Sequence, residues 1–387
     1  MNFQFLGLPQ DVQVELVTEE MSFSNMHNAW NELAAKVGNS NVFLRHEWFD
    51  AVWQWKQNES SLYIVCVYKG SVLIGILPLT KTKTRKNYIT LSKLTYLDIP
   101  DTQFCDLICE AENSQMVLVI IVRYLSKCRK DWDILEVQKL SRQSLLFKIA
   151  SKAVSTIGLA FELVESGYNP GIGLDDMWEE FYGRRSRRLK KGNNHVANKL
   201  KREGKAIRVE WLNDDLNDID KLYKTLDVIR SLSSNSWKAD TGLTLDNPGP
   251  NAFLTRITEH AAKNQWLSIF ILYLADEPVA AEYQLKFNGV ISALRADYDK
   301  KYERLSPGTY LNWKLLERLF SEDLIFYSMG PGSNDYKLRW AEVYEPYSTL
   351  YIYNNTAAGR VFSLLNLQIK PFIKRFARKI EKSETYR

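Results

Sequence analysis

Apolar positions in the first third of the chain come in two dense β-rich runs, Leu62 to Tyr68 and Val72 to Thr80, parted by Lys69-Gly70-Ser71. β-branched residues on either side of a glycine turn predict a hairpin. Upstream, Val12 to Val17 predicts a strand. Apolar spacing of three to four predicts helices over Met26 to Val37 and over the aromatic-rich Phe43 to Trp55. Downstream, Thr90 to Leu97 and Phe104 to Ile108 read as strands around the Pro100-Asp101 turn, followed by a helix over Ser114 to Cys128. Trp132 to Val137 predicts a strand and Gln143 to Ile157 a helix. Phe161 to Ser166 predicts a further strand, which leads into a glycine-containing loop from Gly167 to Gly173.

The second half repeats this plan. Leu174 to Gly204 predicts a mostly helical stretch, interrupted at Gly192-Asn193-Asn194, and Ala206 to Trp211 a strand. A helix over Leu216 to Leu232 leads to an irregular segment, Ser233 to Asn251, before helix resumes over Ala252 to Lys263. Leu267 to Ala275 and Val279 to Asn288 predict a second hairpin across Asp276-Glu277-Pro278, and Val290 to Tyr298 the next strand. A charged connection, Asp299 to Arg304, then turns at Ser306-Pro307-Gly308 into an apolar-periodic helix. Ser306 suits the N-cap and Pro307 the first helical position, so the amides of Gly308, Thr309 and Tyr310 are expected to point outward, where they attract anions. A plain helix cap accounts for the same residues.

The two hairpins are alike: S-L-Y-I-V-C-V-Y-K-G-S-V-L-I-G from Ser61 corresponds to W-L-S-I-F-I-L-Y-L-A-D-E-P-V-A-A from Trp266, each after a helix. Self-similarity at that separation indicates duplication of a domain rather than a solenoid, whose repeats are about 20 to 50 residues long. The fold class expected is α/β: two tandem domains, each a mixed, largely antiparallel sheet flanked by helices. The expected boundaries are 1–173, 174–358 and a basic amphipathic tail over 359–387.

Composition narrows the function. At 387 residues and 45% hydrophobic, the chain can bury more than one ordinary core. Met1 to Gln10 lacks the basic and apolar regions of a signal peptide, and no apolar run is long enough to span a bilayer, which leads to a cytoplasmic expectation. Four cysteines without paired spacing and four histidines predict no metal site. The net charge of +5 is unevenly spread, with basic residues crowded over Arg184 to Arg208 and Lys370 to Lys382. The first run can grip the phosphates of an activated sugar or lipid, or a tRNA backbone, or form the solvated face of a helix. Duplex DNA is disfavoured, because no helix-turn-helix or zinc-finger pattern accompanies the charge.

Hairpin, strand, glycine turn and helix follow the order in which the GNAT acyltransferase fold builds its cofactor site. With E-P-V-A-A-E at Glu277, L-S-P-G-T-Y-L at Leu305 and M-G-P-G-S-N-D-Y-K-L-R-W at Met329, the second half resembles the acyltransferase family named after the cellulose-biosynthesis protein CelD. That family is a relative of the Fem-type peptidoglycan peptide transferases, which also hold two GNAT domains in one chain. The resemblance covers most of residues 20–350. It implies an acyl group carried on coenzyme A, acetyl-CoA or another acyl-CoA, and delivered to an amine or hydroxyl of a small-molecule or lipid-linked sugar acceptor in surface polysaccharide or lipid synthesis. The turn departs from the family pattern in having a single glycine, and Ser328 stands where relatives often carry an aspartate. The first half lacks an S-P-G-like turn between Thr90 and Ser114 and is expected to be a degenerate copy that shapes the acceptor cleft.

Acyl transfer needs a proton acceptor and donors for the oxyanion. Glu282 in the second hairpin, and Asp297 and Tyr298 at the end of the next strand, are the candidates near the expected thioester; each suits a paired or surface role as well. Tyr336 is a candidate to protonate a leaving thiolate and Lys337 to pair with an acidic group or a phosphate; the alternative packs the tyrosine beneath Trp340 and leaves the lysine in water. Ser306, Gly308, Thr309 and Tyr310 are the cofactor candidates. Trp237, Lys238 and Arg187 are those for the acceptor, with core filling the other account of the tryptophan. Two rival functions stay open, a Fem-like transferase using aminoacyl-tRNA and a non-catalytic scaffold of a polysaccharide assembly. The tail, Val361 to Lys382, is expected to be a basic amphipathic helix, kinked at Pro371, resting on an anionic membrane or docked on the protein.

Overall fold

The computed structural model describes residues 11–38, 41–86, 89–213, 219–239, 242–332 and 334–369. Strands in chain order are β1 (Val12–Val17), β2 (Ser61–Leu62), β3 (Ile64–Lys69), β4 (Val72–Leu77), β5 (Leu79–Lys86), β6 (Ile89–Tyr96), β7 (Ile108–Cys109) and β8 (Ile134–Ser141). They continue with β9 (Ala160–Gly173), β10 (Ile207–Leu212), β11 (Leu267–Leu274), β12 (Glu277–Phe287), β13 (Val290–Tyr298), β14 (Phe326–Ser328) and β15 (Val343–Tyr353). The α-helices are α1 (Glu20–Asn25), α2 (His27–Ala35), α3 (His46–Lys56), α4 (Ser114–Lys127), α5 (Leu145–Ile157) and α6 (Trp178–Arg184). After these come α7 (Arg187–Arg202), α8 (Ile219–Ser234), α9 (Pro248–Lys263), α10 (Pro307–Leu319), α11 (Asp335–Trp340) and α12 (Ala357–Leu364).

Both hairpins form as the apolar pattern dictates, but they lie in different sheets. Among the described residues, β1-β3-β4-β7 make a small sheet and β10-β11-β12-β13-β14-β9-β15-β8-β6-β5-β2 a large one. Pairing is antiparallel except at β13–β14 and β6–β8. Mixed, largely antiparallel sheets flanked by helices are therefore the fold class. At Pro78, which has no N–H to give a ladder, the expected strand Val72 to Thr80 splits, with β4 in the small sheet and β5 in the large. The large sheet runs unbroken from one half of the chain into the other, because β15 is seated between β9 and β8 and β9 also pairs with β14.

Four local expectations are corrected. The segment from Gly167 to Gly173 is strand rather than loop: a Cβ at Gly167 would come within 2.5 Å of the Tyr347 hydroxyl and one at Gly171 within 2.1 Å of the Phe326 ring, so these glycines admit cross-strand aromatics. The helical stretch after Leu174 breaks at Arg185-Ser186 rather than at Gly192, because the Ser186 hydroxyl accepts the Leu189 amide at 3.2 Å and starts α7 anew. Helix α9 starts at Pro248, not Ala252, since proline is at home in a first turn. Of the strand expected over Phe104 to Ile108 only β7 forms, because the side chains of Gln103 and Asp106 bond to other elements and the Cys105 amide goes to the Lys139 carbonyl. Beyond α12 and the π-turn Leu365–Ile369, the expected tail lies outside the described residues.

The halves share a core. Trp48 of α3 meets Phe253 of α9 edge to face at 5.3 Å, and at the rim of that contact Asp50 accepts from Arg256 and pairs with His260 at 2.7 Å. A second apolar cluster, with Phe181, Ile291, Leu315 and Tyr327 at its centre, lies beneath α10 and supports the wall of the site.

Candidate active site

Strands β13 and β14 pair in parallel over three residues only, Val290 to Ser292 against Phe326 to Ser328. Beyond that point they part. Two local features turn them aside: Leu294 is an extra residue in the β12–β13 register, where Tyr283 faces Arg295 and Gln284 faces Ala293, and Gly330 sits at φ +80°. A cavity of about 1000 Å³ opens there, with Ala293 to Tyr298 on one wall and Met329 to Pro331 on the other. Helix α7, the start of α10 and helix α11 close it round.

Most of the residues singled out from the sequence meet in this cavity. Glu282, Asp297, Tyr298, Tyr336, Lys337, Ser306, Gly308, Thr309, Trp237 and Lys238 line it. Two do not. Tyr310 turns to the apolar cluster beneath α10 and meets Trp313 edge on, and Arg187 lies exposed on α7 while Arg188 and His195 reach the wall.

Glu282 is buried in the floor. One of its oxygens, Oε1, accepts from the Tyr327 hydroxyl and, at 2.8 Å, from Gln284 Nε2. Gln284 in turn accepts from Ser268 at 2.9 Å, and Ser268 from the Trp211 indole at 3.0 Å, so the carboxylate is anchored through the sheet. Burial raises the Glu282 pKa above the ordinary carboxylate value, against the opposing pull of Tyr327, Gln284 and Lys337. Lys337, also buried, is lowered to about 8 by burial, with Glu282 holding it up and Lys238 pushing it down. Its Nζ donates to the carbonyls of Gly330 and Pro331 at 2.9 Å each, clamping the turn that makes one wall. Among the described residues no carboxylate lies at ion-pair distance from it. A raised acid beside a lowered base is the arrangement that moves protons near neutral pH.

The opposite wall alternates in charge. Lys238 Nζ is 2.8 Å from Asp297 Oδ1 and donates to the Ala296 carbonyl at 3.1 Å, while neither Asp297 oxygen takes a well-aligned hydrogen bond among the described residues. Next to it Arg295 Nε donates to Asp101 Oδ2 at 2.9 Å; burial raises the Asp101 pKa and the guanidinium opposes that rise. Trp237 stands 58% exposed at the rim, with the Lys238 ammonium 5.9 Å from its ring centre, and does not fill the core.

The first half was expected to shape the cleft, but Asp101 and Gln103, through which it reaches the site, were not singled out. Asp101 comes from what read as a simple turn, and Gln103 bridges the point where the strands part: its Nε2 donates to the Ala293 carbonyl at 2.7 Å and its Oε1 accepts from Ser328 at 2.6 Å. Ser328 is thus a hydrogen-bonding partner of the first half. Tyr327 and Gln284 were also missed, although Arg295 and Gln284, polar residues within apolar strands, carried a signal.

At the S-P-G turn the backbone differs from expectation. Ser306 adopts φ +53°, its side chain makes no capping bond, and its carbonyl accepts the Thr309 and Tyr310 amides at 3.1 and 3.4 Å. Of the three amides expected to point outward, that leaves Gly308's for a ligand.

Residues 185–338 match the family model for an acetyltransferase (GNAT) domain. The matched stretch holds β10 to β14, α10 and every cavity residue except those contributed by the first half and the last turn of α11. Solved structures resemble nearly the whole chain. FemX does so at 10% identity and TM-score 0.55, over 87% of this chain and 96% of that one. A C-terminal domain from Agrobacterium fabrum, assigned to a lysylphosphatidylglycerol synthetase, does so at 9% and 0.53, over 89% and 97%. L-PGS from Bacillus licheniformis does so at 13% and 0.51, over 90% and 96%. At these identities the likeness is one of fold. No curated protein sequence matches the chain. Among the described residues no group of side chains fit to hold a metal ion occurs, and no helix is long and apolar enough to cross a membrane.

Proposed function

We propose that the chain is an acyl-CoA-dependent acyltransferase, acting on an amine or hydroxyl of a sugar-containing acceptor, in the manner of the CelD-like enzymes its motifs resemble. The observation that carries the reading is the parting of β13 and β14 into a cavity that has the start of α10 on one side and Glu282 with Lys337 on the other. In an extended strand the N–H and C=O of one residue point to the same edge. The Ala296 carbonyl faces Lys238 across the opening, so the Ala296 amide faces it too and suits a thioester oxygen that becomes an oxyanion. The acceptor nitrogen or oxygen attacks the thioester carbon, its proton passes to Glu282 Oε2, the C–S bond breaks, and Tyr336 gives the leaving thiolate a proton. Gly308 suits the pyrophosphate: a Cβ built there meets nothing closer than Tyr298 Cδ1 at 3.5 Å, so the turn is open, and Arg188 and His195 of α7 line the same cavity. Asp297, Lys238 and Trp237 serve the acceptor.

A second reading, transfer of an amino acid from aminoacyl-tRNA in the Fem-like manner, is supported by α7. Arg187, Arg188, Lys191, Lys201 and Arg202 are exposed there without carboxylate partners among the described residues, and FemX is among the structures of like fold. Calorimetric titration with acetyl-CoA and with aminoacyl-tRNA separates the two. Heat from the first, lost in Gly308→Val, is the result expected; heat from the second alone overturns the acyl-CoA reading.

A further inference from the structure

The segment from Thr356 to Ile369 is held to the body by one side. Thr356 accepts the Gly359 amide at 3.0 Å and donates to Asp133 at 2.6 Å, and Asn366 donates to the Tyr353 hydroxyl at 2.9 Å. A Cβ at Gly359 would come within 2.2 Å of the Asn354 carbonyl, so this face of α12 lies flat on the protein. Gly359, Phe362, Ser363 and Asn366 share that side at helical spacing. The other side is apolar and uncovered: Val361 is 52% exposed, Leu364 48%, Leu365 38% and Leu367 36%. Arg360 is exposed next to them, and so are Arg129 and Lys130 on the loop whose Arg129 carbonyl accepts from Asn354.

The charge of the chain is concentrated just beyond. Residues 370–387 contain seven of the 51 lysines and arginines and two of the 46 acidic residues, so residues 1–369 carry 44 of each sign and the whole formal excess of +5 follows Ile369. We infer that this face binds the surface of an anionic lipid bilayer, the four apolar side chains entering the headgroup boundary and the cations meeting the lipid phosphates. A soluble polyanion satisfies the cations but leaves four large apolar side chains in water. A second copy of the chain covers them but leaves the exposed Arg360, Arg129 and Lys130 without an anionic partner. An anionic apolar surface satisfies both observations, and the inference is independent of the reaction proposed above.

Vesicle flotation of the full chain tests it. The chain is expected to float with vesicles of equal parts phosphatidylglycerol and phosphatidylcholine, to stay behind with phosphatidylcholine alone, and to be released by salt. Leu364→Asp with Leu365→Asp, at exposed positions that leave the fold intact by circular dichroism, should weaken binding by on the order of tenfold or more. Arg129→Glu with Lys130→Glu should lower the preference for the anionic vesicles. No flotation of the wild type, or equal flotation of the leucine variant, overturns the inference. So does a dimer in analytical ultracentrifugation that the leucine variant dissolves, since the occupant is then a second copy.

Discussion

Replacing Lys337 by methionine probes the electrostatics of the cavity through stability, whichever donor the site takes. Lys337 is 7% exposed, and burial brings it from the ordinary 10.5 to about 8. Between those values the unfolded chain binds the proton and the folded chain does not, so stability rises with pH across this window. Below about pH 8 both states are protonated and the cost of burying the ammonium is fully present. The gap amounts to roughly 3.4 kcal/mol at 1.36 kcal/mol per pH unit, of which about 2.5 kcal/mol is relieved between pH 7 and pH 10. Lys337→Met keeps the apolar stem and removes the titration. Urea unfolding of both proteins at the two pH values should show the wild type gaining on the variant by on the order of 2 to 3 kcal/mol at the higher pH. Glu282→Gln introduced into both proteins should widen the effect, since its carboxylate holds the ammonium up. A difference that does not change with pH refutes the buried, proton-losing lysine and with it half of the acid–base pair.

Glu282→Gln should lower the rate of transfer by roughly 10²- to 10⁴-fold while leaving donor affinity in place, and a variant as fast as the wild type removes Glu282 as the base. Gly308→Val should weaken acyl-CoA binding by about 1 to 3 kcal/mol, and Thr309→Ala by less, because the Thr309 amide is already bonded to the Ser306 carbonyl and only a hydroxyl is removed; a calorimetric affinity unchanged in a folded Gly308→Val protein ends the assignment of the turn. Arg295→Ala leaves the buried Asp101 carboxylate without its partner and should cost about 3 to 5 kcal/mol in denaturant unfolding, much of it restored by adding Asp101→Asn. A cost below about 1 kcal/mol means that the pair does not join the halves as described.

The sequence was most legible where the determinants are local. Strand β13 runs from Val290 to Tyr298 as expected, and both hairpins follow from β-branched runs about a short turn. Glycine was misread where its reason is tertiary: Gly167 and Gly171 look like loop residues until Tyr347 and Phe326 are placed over them, from parts of the chain more than 150 residues away. The cavity was legible in Glu282, Asp297 and Lys337, charged residues set among apolar ones near strand ends or glycine turns. Its other wall was not, because Asp101 and Gln103 reach Arg295 and Ala293 across 194 and 190 residues and no periodicity within one segment records such a contact. The N-cap at Ser306 had the right place and the wrong geometry, since a left-handed φ is invisible in the residue type.

The central claim is that acyl transfer takes place where β13 and β14 part. A crystal structure of the protein with acetyl-CoA tests it most directly. The account predicts the thioester carbonyl between Ala293–Tyr298 and Met329–Pro331, within hydrogen-bond distance of the Ala296 amide, and the pyrophosphate over Gly308. A cofactor bound elsewhere on the chain, or a cavity left empty at saturating acetyl-CoA, would contradict it.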